Sequence, residues 1–219
     1  MKLSQISLSL ALALTGIGAA QAAQFSAGGG AVAGSISGFT FQQTPQSLNG
    51  GAGARTGSYS GLQAGAGAAF GPVLLGLNVM KSTGGVQFDD LSASAGYAFQ
   101  AAPGLVVTPG AEWGAQHING QSYTRAAATL GASYAIAQEW VLAGSAALGR
   151  VHGTRSGPTL ARTDGSYREA QIGVSYIPAK VGTFTLAMSE QVTQTASLPI
   201  FGDLDMRNRA VSLTYSRTF

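Results

Sequence analysis

The chain has 219 residues, of which 32 are glycine, none is cysteine and only 10% are charged. A soluble domain normally carries about 25% charged residues, so this chain is either fibrous or has something other than water against its outside. The formal net charge of +3 is too small to indicate nucleic-acid binding, and disulfides cannot form. Stability must therefore come from backbone pairing and packing.

The N-terminal residues 1–22 have the pattern of a secretory signal peptide. Lys2 supplies a positive charge, an apolar stretch runs from Ile6 to Ala20, and Ala20-Gln21-Ala22 fits a small-x-small cleavage site. We therefore predict cleavage after Ala22 and one mature domain of residues 23–219. The alternative is a retained transmembrane helix, which is disfavoured because the apolar stretch is short and rich in Ser, Gly and Ala.

From Ser60 onward, apolar residues recur at every second position, which is the period of a β-strand. Turn signals such as Gly71-Pro72 and Pro103-Gly104 separate the runs. With a weaker first strand around Phe25 to Ser35, the pattern predicts about ten strands, or eight if the first hairpin does not pair. The other predicted runs are 60–70, 73–81, 91–99, 105–116, 125–134, 140–148, 169–176, 183–189 and 211–219.

The connections between these predicted strands alternate in length. Short turns are predicted at 71–72, 100–104, 136–138 and 178–182, and the other connections at 37–58, 82–87, 117–122, 151–166 and 193–205. Short turns on one rim and longer loops on the other are typical of outer-membrane barrels, whose short turns face the periplasm. An even strand number also places both chain ends on that side.

The alternation has a physical explanation if lipid surrounds the sheet. In hydrocarbon every backbone amide needs a protein partner, so strands cross only as a closed barrel with apolar residues outward. A soluble β-sandwich with an aromatic core is the alternative, although it would normally carry more charge on its solvent face. Aromatic residues at the short-turn ends share the apolar parity, as in an interfacial girdle; they are Phe70, Tyr97, Phe99, Tyr134, Trp140, Tyr176, Phe184, Tyr215 and Phe219.

The C-terminal segment from Val211 to Phe219 alternates apolar and polar residues and ends in phenylalanine. It resembles the terminal β-signal of Gram-negative outer-membrane proteins, and the mature chain resembles small porin-like or OmpA-like barrels in pattern. The resemblance implies an all-β, up-and-down antiparallel transmembrane barrel in the bacterial outer membrane. It also implies insertion by the barrel-assembly machinery, which would read Tyr215 and Phe219 as part of an added strand.

Few charged residues fall on the predicted inward face of the barrel. They are Glu112, Arg125 and Glu169, and Gln171 lies near Glu169 in sequence. Because buried charges need partners, these residues are predicted to form a polar network that plugs the lumen. The alternative is a constriction that filters solutes in a narrow pore.

Basic residues are concentrated at the predicted outer rim. The phosphates of lipopolysaccharide lie at that level, and the forked guanidinium of arginine suits them. Ordinary charged loops are an equally good explanation, because acids are interleaved at 89, 90, 164, 203 and 205. The predicted contact residues are Arg55, Arg150, Arg155, Arg162, Arg168, Arg207 and Arg209.

The function predicted from these patterns is a structural barrel or a narrow channel for small solutes, with no enzyme activity, cofactor or metal. A lipid-modifying enzyme is an alternative, with His152 and Ser156 as the residues to consider, and a surface adhesin or receptor that uses the loops is another. No spacing supports a catalytic or metal site beyond co-occurrence. The predicted partners are outer-membrane lipid, lipopolysaccharide and the assembly machinery, with no nucleic acid; oligomeric state is left open.

Overall fold

The computed structural model describes residues 30–47, 57–82, 88–118, 121–155, 162–178, 181–195 and 204–218. The predicted signal peptide lies outside this range. None of the residues described belongs to a helix that is long and apolar enough to cross a membrane. The described segments form β1 (Gly30–Ser47), β2 (Gly57–Phe70), β3 (Val73–Ser82), β4 (Phe88–Tyr97), β5 (Phe99–Ala102), β6 (Leu105–Ile118), β7 (Gln121–Ala135), β8 (Trp140–Arg155), β9 (Arg162–Tyr176), β10 (Thr183–Thr195) and β11 (Leu204–Thr218).

The strands pair antiparallel with their neighbours in chain order, and the sheet closes on itself. β1 pairs with both β2 and β11, and β4 pairs with both β3 and β6. β4 and β5 are two segments of one wall strand, interrupted at Ala98, whose amide donates to the carbonyl of Pro72 at 2.8 Å. The described residues therefore form ten wall strands, and the predicted all-β, up-and-down barrel is confirmed.

Two of the short turns depend on glycine at a positive φ. Gly71 has a φ of 59° at the first central position of the β2–β3 turn, which β-branched and bulky residues rarely adopt. Gly104 has a φ of 76° after Pro103, the arrangement of a type II turn between β5 and β6. Both turns lie at the end of the barrel that carries the aromatic residues.

The outward side chains are apolar and the inward ones are buried. On β3, Leu75 and Leu77 are exposed while Leu74 and Asn78 are buried. A two-layer soluble sandwich would bury the exposed set, so the sandwich alternative is wrong. The same alternation places these large apolar residues outward on other strands: Leu62, Leu91, Trp113, Leu130, Leu142, Leu148, Ile172, Leu186, Met188, Val211 and Leu213.

Aromatic pairs join neighbouring strands at the short-turn end. The rings of Trp140 and Tyr176 have centroids 4.9 Å apart, and those of Phe184 and Tyr215 are 5.2 Å apart. The hydroxyl of Tyr215 donates to the carbonyl of Val181 at 2.6 Å. Such contacts fit a girdle of amphipathic rings at one membrane surface.

Several strands extend further than the sequence pattern predicts. β1 spans 30–47, so residues 37–47 of a predicted loop are strand. Residues 25–29 of the predicted first strand lie outside the described residues. β8 continues to Arg155, and β9 begins at Arg162, inside the predicted loop 151–166. These extensions remain strands because neighbouring strands supply backbone partners, which the pattern of apolar residues does not record.

Candidate functional site

A buried ion-paired group lies inside the barrel towards the longer-loop end. Arg125 on β7 is only 5% exposed. Its Nε donates to Oε1 of Glu112 at 2.7 Å, and its Nη2 lies 2.6 Å from the same oxygen. Its Nη1 and Nη2 also donate to the carboxylate of Asp90 on β4, the Nη2–Oδ1 distance being 3.2 Å. One guanidinium thus joins three neighbouring wall strands on the inside of the barrel.

Gly114 makes room for this arrangement. It lies directly opposite Arg125 in the β6–β7 register, so the guanidinium passes over it to reach Asp90. A Cβ placed on Gly114 would lie 2.7 Å from Cζ of Arg125. A larger residue there would force the guanidinium to move.

Tyr167 and Glu169 on β9 extend the group to a fourth wall strand. Cζ of Arg125 lies 5.4 Å from the centroid of the Tyr167 ring, within the range of a cation–π contact. The Tyr167 hydroxyl donates to Glu169. We call Asp90, Glu112, Arg125, Tyr167 and Glu169 the lumen cluster. The ring of Tyr167 is itself buried, in a small apolar group with Ala127, Ala147 and Val151.

The lumen cluster contains three carboxyl groups and only one guanidinium group. Buried ions are costly unless they are paired and hydrogen-bonded. Arg125 meets this condition with two carboxylates, whereas Oε2 of Glu112 has no hydrogen-bond partner within the described ranges. Removing Arg125 alone would therefore leave two buried acids without their cation.

The structure brings together some of the predicted lumen residues. Glu112 and Arg125 are directly paired, and Glu169 is connected to them through Tyr167. Gln171 lies on the same strand as Glu169, and no hydrogen bond between Gln171 and the cluster is found among the residues described. The role of this network as a plug stays a prediction.

Sequence reasoning left two members of the lumen cluster, Asp90 and Tyr167, out of the predicted polar network. Asp90 was expected among the acids of the outer rim, and that expectation is wrong because Asp90 points inward and is 5% exposed. A usable signal existed: Leu91 faces outward, so strand alternation places Asp90 inward. Tyr123 and Tyr167, which do not share the apolar parity, also point inward and are buried.

Small hydroxyl side chains are frequent in the rest of the described interior, where they lie among apolar residues such as Leu74, Val106 and Val141. Ser175 and Thr185 hydrogen-bond each other at 2.8 Å. Ser133, Thr183 and Ser216 are each 3% exposed or less. A polar, small-residue lining behind an apolar outside is the interior expected of a membrane barrel.

The outward apolar run of each wall strand from β3 to β11 ends at a polar residue, and these residues form a boundary around the barrel. Below them the outward side chains are mostly apolar, so they mark the level at which the hydrocarbon ends. The boundary residues are Lys81, Asp89, His117, Thr124, Arg150, Arg168, Glu190 and Arg209.

The predicted basic contact residues are distributed unevenly around this boundary. Arg150 and Arg168 are exposed on β8 and β9. Arg209 is also exposed, but its Nε donates to Glu190 at 2.7 Å. Three more, Arg155, Arg162 and Arg207, lie at strand positions instead of in loops. Arg55, like the terminal Phe219, lies outside the described residues.

The two histidines have polar neighbours at the boundary. Nδ1 of His152 lies 2.8 Å from Oδ1 of Asp164, and both side chains are largely exposed. Nδ1 of His117 lies 3.1 Å from Oγ of Ser122. Ser156 lies outside the described residues, and in the part of the chain that is described no three His, Asp or Glu side chains are grouped to hold a metal ion.

A closed antiparallel sheet with apolar residues outside and polar residues inside defines an integral β-barrel of the bacterial outer membrane. The family model for the outer membrane protein beta-barrel domain matches residues 9–177. The chain therefore belongs to this family.

Solved structures of outer-membrane proteins from several bacteria are similar to this chain. The outer membrane protease OmpT from Escherichia coli has a TM-score of 0.51 and 10% identity, covering 86% of this chain and 96% of its own. Neisserial surface protein A has a TM-score of 0.40 and 11% identity, and the match covers 85% of this chain and 99% of its own. Ail of Yersinia pestis has a TM-score of 0.38 and 12% identity, also with 85% and 99% covered. The OmpT likeness shows fold alone, and the two lower scores carry no argument. No curated protein matches the sequence.

Proposed function

We propose that this protein is a structural outer-membrane barrel whose lumen is closed to solutes by the lumen cluster. The observation that carries the proposal is the buried position of Arg125, which joins Asp90 on β4 and Glu112 on β6. A charged side chain held by two carboxylates is not free to move aside for a passing solute. The narrow-channel alternative would need this group to open.

The energetics of the cluster favour a closed state. Breaking a buried ion pair by removing one partner costs about 3–5 kcal/mol, because a buried charge is left without compensation. Displacing Arg125 from both carboxylates has a similar cost. Opening would therefore be rare unless another interaction replaced these bonds.

Conductance across a planar lipid bilayer tests the closed lumen. The wild-type barrel is expected to give no steady current steps. The triple variant Asp90→Ala, Glu112→Ala, Arg125→Ala removes both charge signs together and leaves Glu169, which keeps its hydrogen bond from Tyr167, and it is expected to conduct. The matched control Glu190→Ala, Arg209→Ala removes the exposed ion pair on the outer wall and is expected to remain silent.

Two outcomes would contradict this proposal. One is steady conductance through the wild-type barrel. The other is a silent triple variant that still shows the heat-modifiable gel migration of a folded barrel, because the cluster would then not be what closes the lumen.

For partners, we propose outer-membrane lipid and lipopolysaccharide around the wall and the barrel-assembly machinery during insertion. The exposed apolar belt supports the first, and the alternating terminal strand β11 supports the second. The enzyme alternative gains no support from the described residues, because the His152–Asp164 pair is solvent-exposed and Ser156 is not described. The adhesin alternative depends on loops outside the described ranges and stays a prediction.

A further inference from the structure

Four buried oxygen atoms in and beside the lumen cluster have no hydrogen-bond partner among the described residues. They are Oε2 of Glu112, Oδ1 of Asn78, Oγ of Ser92 and Oγ1 of Thr129. The Glu112 side chain is fully buried, and the other three residues are at most 7% exposed. A buried oxygen without a partner is unfavourable, and an ionised one most of all. These atoms therefore call for a partner that the described chain does not supply.

The strand register brings the four side chains to one part of the lumen. Asn78 on β3 is directly opposite Ser92 on β4. Ser92 is in turn opposite Gly114 on β6, so it is a diagonal neighbour of Glu112, two residues away. Thr129 on β7 is the diagonal neighbour of Glu112 on the other side. The oxygens thus belong to four consecutive wall strands around one carboxylate.

The ion-paired part of the lumen cluster lacks one positive charge. Asp90 and Glu112 are two carboxylates, and Arg125 is the single cation that they share. Both nitrogens of Arg125 that approach Glu112 reach Oε1, at 2.7 and 2.6 Å, which leaves Oε2 without a counter-charge. One added monovalent cation would make this group neutral, as a buried group of charges requires.

We propose that the lumen cluster binds one alkali-metal cation of the sodium type, held by Oε2 of Glu112 together with the oxygens of Asn78, Ser92 and Thr129. A set of one carboxylate oxygen and neutral oxygens suits a hard monovalent cation, because divalent cations take six or more oxygens, several of them from carboxylates. The inference rests on the proposed closed lumen, since water in an open lumen would solvate Oε2 without a cation.

Another pair of buried hydroxyl groups provides a matched comparison without an acid. Thr183 on β10 is directly opposite Ser216 on β11, and both hydroxyl oxygens are unpartnered within the described ranges. Each residue is 1% exposed. The next inward residues on the two strands, Thr185 and Thr214, are uncharged. This pair shares the burial of Ser92 and Thr129 but has no carboxylate to attract a cation.

Urea unfolding in zwitterionic lipid vesicles tests the site, with sodium chloride replaced by choline chloride at constant ionic strength. A cation that binds only the folded barrel lowers the unfolding equilibrium constant, and choline is too large for the site. The wild-type constant is expected to be at least about tenfold lower in sodium than in choline. The double variant Ser92→Ala, Thr129→Val removes two oxygens and keeps the ion pairs, and its difference is expected to shrink to about twofold or less. The control Ser216→Ala, Thr183→Val is expected to keep the wild-type difference.

The proposal is overturned by equal stability of the wild type in the two salts, which is what water or a proton at Oε2 would give. A full sodium effect in the Ser92→Ala, Thr129→Val variant, or an equal loss in the control, would also overturn it. Stronger stabilisation by calcium chloride than by sodium chloride would contradict the monovalent assignment. Conductance separates this inference from the proposed function: a silent wild-type barrel without sodium dependence overturns the cation site alone, whereas a conducting wild-type barrel contradicts the closed lumen.

Discussion

At the residue scale, the lumen cluster depends on the missing side chain of Gly114 as much as on the charged groups themselves. Gly114 has no side chain, and Arg125 occupies the space that a Cβ would take. Tyr167 places its ring near the guanidinium and its hydroxyl on Glu169. The position of Arg125 is therefore set by a glycine, an aromatic ring and two carboxylates together.

The variant Gly114→Ala tests this packing. The added methyl would overlap Cζ of Arg125 and displace it from Asp90 and Glu112, so the free energy of unfolding is expected to fall by about 1–3 kcal/mol. The control Gly144→Ala points outward, where the nearest atom to a new Cβ is the Gln171 carbonyl oxygen at 3.3 Å. Urea unfolding in lipid vesicles measures the free energy of unfolding of both variants. A Gly114→Ala barrel as stable as the control would show that the guanidinium is not confined.

At the element scale, β11 completes the ring by pairing with β1 and β10. Its outward residues Val211, Leu213 and Tyr215 face lipid, and Thr214 and Ser216 are buried inside. Tyr215 adds a ring contact to Phe184 and a hydrogen bond to Val181. β11 thus closes the barrel, and it also carries the alternating pattern that we propose the assembly machinery recognises.

Replacing Tyr215 separates recognition from stability. In cells, Tyr215→Ala is expected to lower the amount of folded, heat-modifiable barrel several-fold, while Tyr215→Phe keeps the ring and stays near wild type. Leu213→Ala is the control on the same outward face. Unassisted refolding of Tyr215→Ala into detergent is expected to be nearly normal. If refolding there is impaired as much as assembly in cells, the residue acts through stability instead of recognition.

At the scale of the whole molecule, the alternation of apolar residues predicted the closed barrel and its ten wall strands. It could do so because lipid contact imposes a period of two that turn residues such as Gly71-Pro72 interrupt. Strand ends beyond the apolar belt, such as residues 43–47, could not be predicted because only pairing with neighbours holds them. Asp90 was misplaced for a related reason: its charge suggested a loop, while its parity placed it inside.

The most direct test of the account is a single-cysteine spin-label scan along β7 from Ala126 to Ser133, which the absence of native cysteine permits. In a lipid bilayer, positions 126, 128, 130 and 132 are expected to be accessible to oxygen dissolved in lipid. Positions 127, 129, 131 and 133 are expected to be protected from both oxygen and a water-soluble nickel reagent. Access of the nickel reagent to positions 127, 129, 131 and 133 would reveal an open aqueous lumen. Protection of positions 126, 128, 130 and 132 from oxygen would contradict a lipid-facing wall.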